Sequence, residues 1–166
     1  SVLTHNSIRK FGSIKLMNKE QIENELSKLG PEPLSKKFTL DKFKDILSKK
    51  SKANIKTTLM DQKFLAGIGN IYAIEALYWA GINPQRKIES LDNSEVTKLY
   101  KQLRKVLELA VKYHGTTVEN YVHIEGTGGF QKLLAVYGKK KCPKRHSLKK
   151  INLGGRGTYY CCRCQS

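Results

Sequence analysis

The string CPKRHSLKKINLGGRGTYYCCRCQ, residues 142–165, decides how the end of this chain folds. Three residues separate Cys142 from His146, two separate Cys161 from Cys164, and the 14-residue arm Ser147 to Tyr160 lies between the pairs. A Cys-x2-Cys turn aims two thiolates at one point, and a second pair across a short hairpin completes a tetrahedron. One structural zinc ion (Zn2+), held by Cys142, His146, Cys161 and Cys164, fits this spacing best. Two disulfides or free thiols are the alternatives. Adjacent cysteines bridge only under strain, however, and residues 1–141 hold no cysteine to pair with. Cys162 should face away from the metal, because neighbouring side chains of an extended arm point opposite ways. His146 has a plainer reading as well, as a solvated residue of a basic hairpin.

Charge says what such a module is held against. Residues 126–166 carry ten Lys or Arg and no Asp or Glu, and the whole chain has 31 basic and 14 acidic residues, a net charge of +17. With a pI near 9.8, the chain calls for a polyanionic partner, and nucleic acid is the polyanion that a basic metal-stapled hairpin suits. No apolar run approaches the ~18 residues of a membrane span, and no signal segment is visible, so no membrane partner is expected. Cysteine confined to a metal site implies a reducing compartment: cytoplasm and nucleoid, or nucleus. At 166 residues and 39% hydrophobic, the chain can bury one modest core beside the metal module.

Working back from the arm, the chain reads as mainly α. Ser94 to Tyr113 is a long amphipathic helix, with Val96, Leu99, Leu103, Val106, Leu107, Ala110 and Val111 on one face and Gly115 closing it. Thr39 caps a helix whose Leu40, Phe43, Ile46 and Leu47 lie on one face. A short helix over residues 18–29 carries Ile22 and Leu26, and another covers Thr116-Thr117 to Val122, before the glycine-rich loop Glu125–Phe130. Residues 1–16 read as a β-hairpin, Val2-Leu3 against Ile14–Leu16. Strand-like sequence at residue 2 predicts that the chain starts inside a sheet whose remainder lies elsewhere.

LMDQKFLAGIGNIY, residues 59–72, is the second strong signal. Residues 54–60 and 61–65 read as helix, Gly67-Ile68-Gly69 breaks it, and Asn70 opens a new helix to about Trp79. A Gly-x-Gly turn before a helix exposes backbone N–H groups at one point, which is a phosphate-binding device, and Asn70 adds a donor while capping. A tight helical hairpin needs glycines too, so this motif alone decides little.

Several motifs in one order decide more: Leu29-Gly30-Pro31-Glu32-Pro33-Leu34, DQKFLAGIGNIYAIEAL from Asp61 to Leu77, Ala80 to Pro84, Gly115-Thr116-Thr117, Val136-Tyr137-Gly138 and TYYCCRCQ from Thr158 to Gln165. On these the chain resembles the formamidopyrimidine-DNA glycosylase / endonuclease VIII family, base-excision repair enzymes that remove oxidised bases and nick the abasic strand. The resemblance implies a helix-two-turn-helix DNA-binding domain over 18–130, a zinc β-hairpin over 131–166, and, over 1–17, a β-hairpin remnant of an N-terminal β-sandwich. It also implies roles for single residues. Gly69 and Asn70 match the motif that holds phosphates beside the lesion, and Arg156 matches the arginine at the tip of the zinc hairpin. Arg9, Lys10 and Phe11 match the hairpin that fills the gap left by the flipped base and wedges the stack. The loop Val122–Phe130 matches the segment that folds over the extruded base.

The family's nucleophile is an N-terminal proline amine followed by a glutamate, whereas this sequence starts Ser1-Val2, so whether the chain is itself an enzyme stays open. The expected function is the DNA-binding C-terminal part of a glycosylase/AP lyase acting on oxidised purines (8-oxoguanine and formamidopyrimidines). The alternative is a non-catalytic nucleic-acid-binding module of the same fold. The expected partners are duplex DNA with oxidised bases or abasic sites, and a separate N-terminal catalytic domain.

Overall fold

A computed structural model describes residues 13–116 and 128–166. In chain order they form helices α1 (Lys19–Ser27), α2 (Leu40–Ser48), α3 (Ile55–Leu59), α4 (Asn70–Ala80) and α5 (Asn93–Lys112), then strands β1 (Lys149–Leu153) and β2 (Arg156–Tyr160). Short 3-10 turns at Ile88–Ser90 and Phe130–Leu133 complete the regular structure. The strand Val2-Leu3, the hairpin residues Arg9, Lys10 and Phe11, the helix from Thr117 to Val122 and most of the glycine-rich loop lie outside the described residues. Ile14–Leu16, expected as a strand, shows no strand pairing among the described residues.

Local chemistry sets the helix ends. The Asn18 and Asp92 side chains close capping boxes with Gln21 and Glu95, and the Thr39 hydroxyl accepts from Lys42 N at 3.2 Å. Gly81 ends α4 at φ 80°, a conformation that favours glycine. Residues 61–65 are turns rather than the expected helix. The Asp61 carboxylate accepts from Lys63 N at 3.1 Å and bends the chain out of its helical path.

Helix α4 is the axis of the molecule. Ala73, Ala76, Leu77 and Ala80 pack into a large core with Phe43, Leu47, Leu59, Leu99, Leu103 and Val106. Ile74 and Tyr78 pack on the other side, into a smaller cluster with Ala135, Val136, Cys142 and Cys161. A helix covered from two sides must be apolar nearly all round, which α4 is. Helix α5 buries Val96, Leu99, Leu103, Val106, Leu107 and Ala110 as its periodicity predicts. Val111, expected among them, is 68% exposed, because it falls past the edge of the buried stripe.

Candidate nucleic-acid interface

The first turn of α4 opens onto a cleft of about 650 Å³ whose opposite wall is the β1–β2 hairpin. Gly69, Asn70, Ile71 and Tyr72 form one side, and Lys150, Gly155, Arg156, Gly157 and Tyr159 form the other, with Thr116 and Tyr137 also lining it. Gly69, not Asn70, is the N-cap residue of α4, and no side chain caps it. The expected capping role of Asn70 is therefore corrected. As the first helical residue it sends its amide across the cleft instead, Nδ2 donating to Gly157 O at 3.1 Å. Uncapped, the first-turn N–H groups of α4 face the cleft together with the positive end of the helix dipole. Among the described residues Asn70 Oδ1 is buried without a partner, a local cost of about 1–3 kcal/mol that ordinary packing positions avoid.

Gln62 braces the turn that delivers this helix end. Its Nε2 donates to Ile68 O at 3.0 Å and its Oε1 accepts from Gly67 N at 2.8 Å, with Gly67 at φ 80°.

The hairpin tip is placed as firmly. Gly154 and Gly155, at φ 61° and 70°, make a two-residue turn between the paired Leu153 and Arg156. Gly154 lies against α3 so closely that a Cβ there would stand 2.8 Å from Thr57 Cγ2. Beside it the buried Lys56 donates from Nζ to Leu153 O at 3.1 Å. Burial, and then the Arg156 guanidinium, push the Lys56 pKa down to about 8 from the ordinary 10.5. Between those two pH values the unfolded chain binds more protons than the folded one, so stability should rise with pH across that window. Urea titrations should show wild type gaining on Lys56→Met from pH 8 to 10.5. A constant difference between the two proteins would count against a depressed lysine.

A carboxylate locks the second wall to the first. Glu75, 1% exposed in the middle of α4, accepts from the N–H groups of Ala135, Val136 and Tyr137 at 2.7, 3.0 and 2.8 Å. Burial raises its pKa against the downward pull of these three donors. Tyr137, so fixed, meets the Tyr159 ring edge-on at 5.4 Å, and Lys150 Nζ sits 5.5 Å from the centre of that ring. Sequence reading missed Glu75, Lys56, Lys150, Tyr137 and Tyr159 as site residues. The one legible hint was an acidic residue inside the otherwise apolar run IYAIEALYWA.

The four residues expected to bind metal come together. One ligand atom from each of Cys142, His146, Cys161 and Cys164 lies within 4.8 Å of all the others, so the cluster could hold a metal ion. His146 points Nδ1 into the cluster, 3.3 Å from Cys164 Sγ and 3.7 Å from Cys161 Sγ, and the Cys142 and Cys164 sulfurs are 4.0 Å apart. Arg145 takes φ 62° to bring His146 round, where a shorter knuckle would have placed its second thiolate. Cys162 is exposed and stands outside the cluster. The buried Gln165 ties the knuckle to the end of α4, accepting from Cys161 N and donating to Ile82 O, both at 2.8 Å. Of the residues singled out in the sequence, Gly69, Asn70 and Arg156 thus share one cleft, the four ligands share one cluster, and Arg9, Lys10 and Phe11 lie outside the described residues.

Residues 29–122 match the formamidopyrimidine-DNA glycosylase H2TH domain. The chain belongs to that family. The formamidopyrimidine-DNA glycosylase of Shouchella clausii is 41% identical over 171 residues, 99% of this chain, and that of Bacillus subtilis is 40% identical over 170 residues. The chain spans only about 62% and 61% of these two relatives' length. Among solved structures, Lactococcus lactis Fpg in complex with abasic-site DNA superposes with a TM-score of 0.88 at 35% identity, covering 96% of this chain and 60% of that one. The Fpg protein of Thermus thermophilus gives 0.80 at 39% identity over 89% of this chain and 57% of that one. Among the described residues no helix is long and apolar enough to cross a membrane.

Proposed function

We propose that this chain grips duplex DNA for a formamidopyrimidine-type glycosylase/AP lyase acting on oxidised purines and abasic sites. One observation carries the reading: the uncapped first turn of α4, with Asn70, faces Arg156 across one cleft. Amides and a helix dipole on one side and a planar guanidinium on the other suit adjacent backbone phosphates, which accept from both. Lys150 adds a point charge to the same wall. In this reading Arg9, Lys10 and Phe11 distort the duplex beside the lesion, while the cleft holds the strand on which they act. The residues assigned here bind and orient DNA, and none of them is proposed to break a bond.

The metal in this reading is a single structural zinc ion. Zinc bonds of about 2.3 Å to sulfur and 2.05 Å to nitrogen, at tetrahedral angles, put sulfurs about 3.8 Å apart and nitrogen about 3.6 Å from sulfur. The separations of 4.0, 3.3 and 3.7 Å in the cluster suit that geometry. Four protein ligands close the coordination sphere, so the ion would hold the hairpin in place and take no part in chemistry.

Asn70→Ala and Arg156→Ala should each weaken binding to an abasic-site duplex by about 1–3 kcal/mol, the range for hydrogen bonds to a charged group. Arg156→Ala should also flatten the salt dependence, because one cation fewer meets phosphate. Fluorescence anisotropy over a salt series measures both. If both variants bind like wild type, the cleft is not the phosphate site.

A further inference from the structure

We propose that the outer side of α5 is a second binding surface for duplex DNA, separate from the cleft, through which the protein passes directly from one DNA segment to another. The inference rests on the DNA-binding reading above. At about 100° per residue, the buried residues of α5 define one side of the helix, and Lys98, Lys101, Lys105 and Lys112 fall within an arc of about 60° on the opposite side. All four are exposed. Elsewhere Lys19 of α1 and Lys49, which follows α2, each reach an acid four residues away, while Lys42 and Lys44 of α2 make no ion pair among the described residues. None of the four α5 lysines makes an ion pair among the described residues. Glu108, the one acid in their row, is taken by Arg104 at 3.9 Å.

The row is as long as a polyanion requires. From Lys98 to Lys112 the helix rises about 21 Å, at roughly 1.5 Å per residue. Duplex DNA carries one charge per ~1.7 Å of axis, so the row can meet several phosphates. Lysines are flexible point charges that read no base edge, which makes the surface indifferent to sequence. Its placement makes it separate. The buried side of α5 packs on α4, whose first turn opens the cleft, so Lys101, Lys105 and Lys112 fall on the side away from α4 and can hold a different segment, while Lys98 reaches back toward the end of α4. Lys98 marks one end of the row, its Nζ 3.5 Å from where a Cβ on Gly81 would stand at the end of α4. Lys112, over the Tyr113 ring at 6.0 Å, marks the other.

Two surfaces on one chain allow a ternary intermediate, and that has a kinetic signature. A labelled abasic-site duplex bound to the full chain should dissociate faster as the concentration of unlabelled chase duplex rises. In stopped-flow anisotropy the wild-type rate should climb several-fold across the chase series. With Lys98, Lys101, Lys105 and Lys112 all changed to Gln, the rate should be nearly independent of chase. Removing the same charge elsewhere, with Lys36, Lys37, Lys42 and Lys44 changed to Gln, should leave the climb intact and so separate a local surface from net charge. A chase dependence that survives in the α5 variant, or is lost equally in both, overturns the second surface and leaves a merely solvated face. Failure of the wild type to bind the duplex at all would sink the DNA-binding reading and this inference with it.

Discussion

Stripping the metal from the Cys142, His146, Cys161 and Cys164 cluster should lower duplex affinity by about 100-fold, equivalent to about 2.7 kcal/mol, while the helices stay folded. The two parts respond differently because their cores differ. Phe43, Leu59, Leu99 and Leu103 belong to a cluster that contains no ligand, whereas Cys142 and Cys161 are themselves members of the smaller one. A two-stranded hairpin alone is marginal in water. Without its metal, β1–β2 keeps the Asn70 and Lys56 hydrogen bonds, and Gln165 still ties Cys161 to Ile82, but these fix points on or beside the hairpin rather than its closure. Arg156 would then sample many positions and lose its aim at the cleft. Far-ultraviolet circular dichroism should change little on chelation, metal analysis should show about one zinc released, and anisotropy should report the lost affinity. Cys161→Ser should behave like chelation and Cys162→Ser like wild type. A metal-free protein that binds DNA with undiminished affinity would falsify the structural role.

Much of this was legible in the sequence, for reasons that differ from element to element. The stripe on α5 announces itself because its one buried face repeats at helical spacing. The ligands announce themselves because metal chemistry tolerates few residue types and few separations. Arg156 was placed at a hairpin tip by the family resemblance, and the structure shows how, since Gly154-Gly155 makes the turn and the turn fixes the register. The errors arose where a distant partner decides. Asn70 looked like a cap because caps are local, yet its amide is claimed by Gly157, 87 positions along the chain. Asp61 to Leu65 is a local exception: it looked helical, but the Asp61 carboxylate captures the Lys63 N–H two residues on. Glu75 carries no local signal beyond its oddity, since its partners are backbone groups 60 to 62 residues away that any sequence would offer. Lys56 is the same case, a buried amine answered by one carbonyl of the hairpin.

Glu75→Ala should destabilise the protein by about 3–5 kcal/mol, because it strands three buried N–H donors whose desolvation costs about 1–3 kcal/mol each. That is a large share of the ~5–15 kcal/mol that separates folded from unfolded chains of this kind. Glu75→Gln is the sharper variant. It keeps the shape and one accepting oxygen, but turns an NH2 toward donors, so its loss should fall between wild type and Ala. The damage should be local first: amides of Ala135, Val136 and Tyr137 should lose hydrogen-exchange protection before those of Leu99 or Leu103. Tyr137 stands in the cleft and packs on Tyr159, so loosening its backbone should also weaken DNA binding in variants that remain folded and keep their zinc. Denaturant titration, amide exchange and anisotropy on one set of samples distinguish these effects. Should Ala and Gln both stay within about 1 kcal/mol of wild type, the usual spread of a surface substitution, then the carboxylate does not join the two walls of the cleft. In that case the smaller core formed by Ile74, Tyr78 and Val136 would have to hold them together unaided.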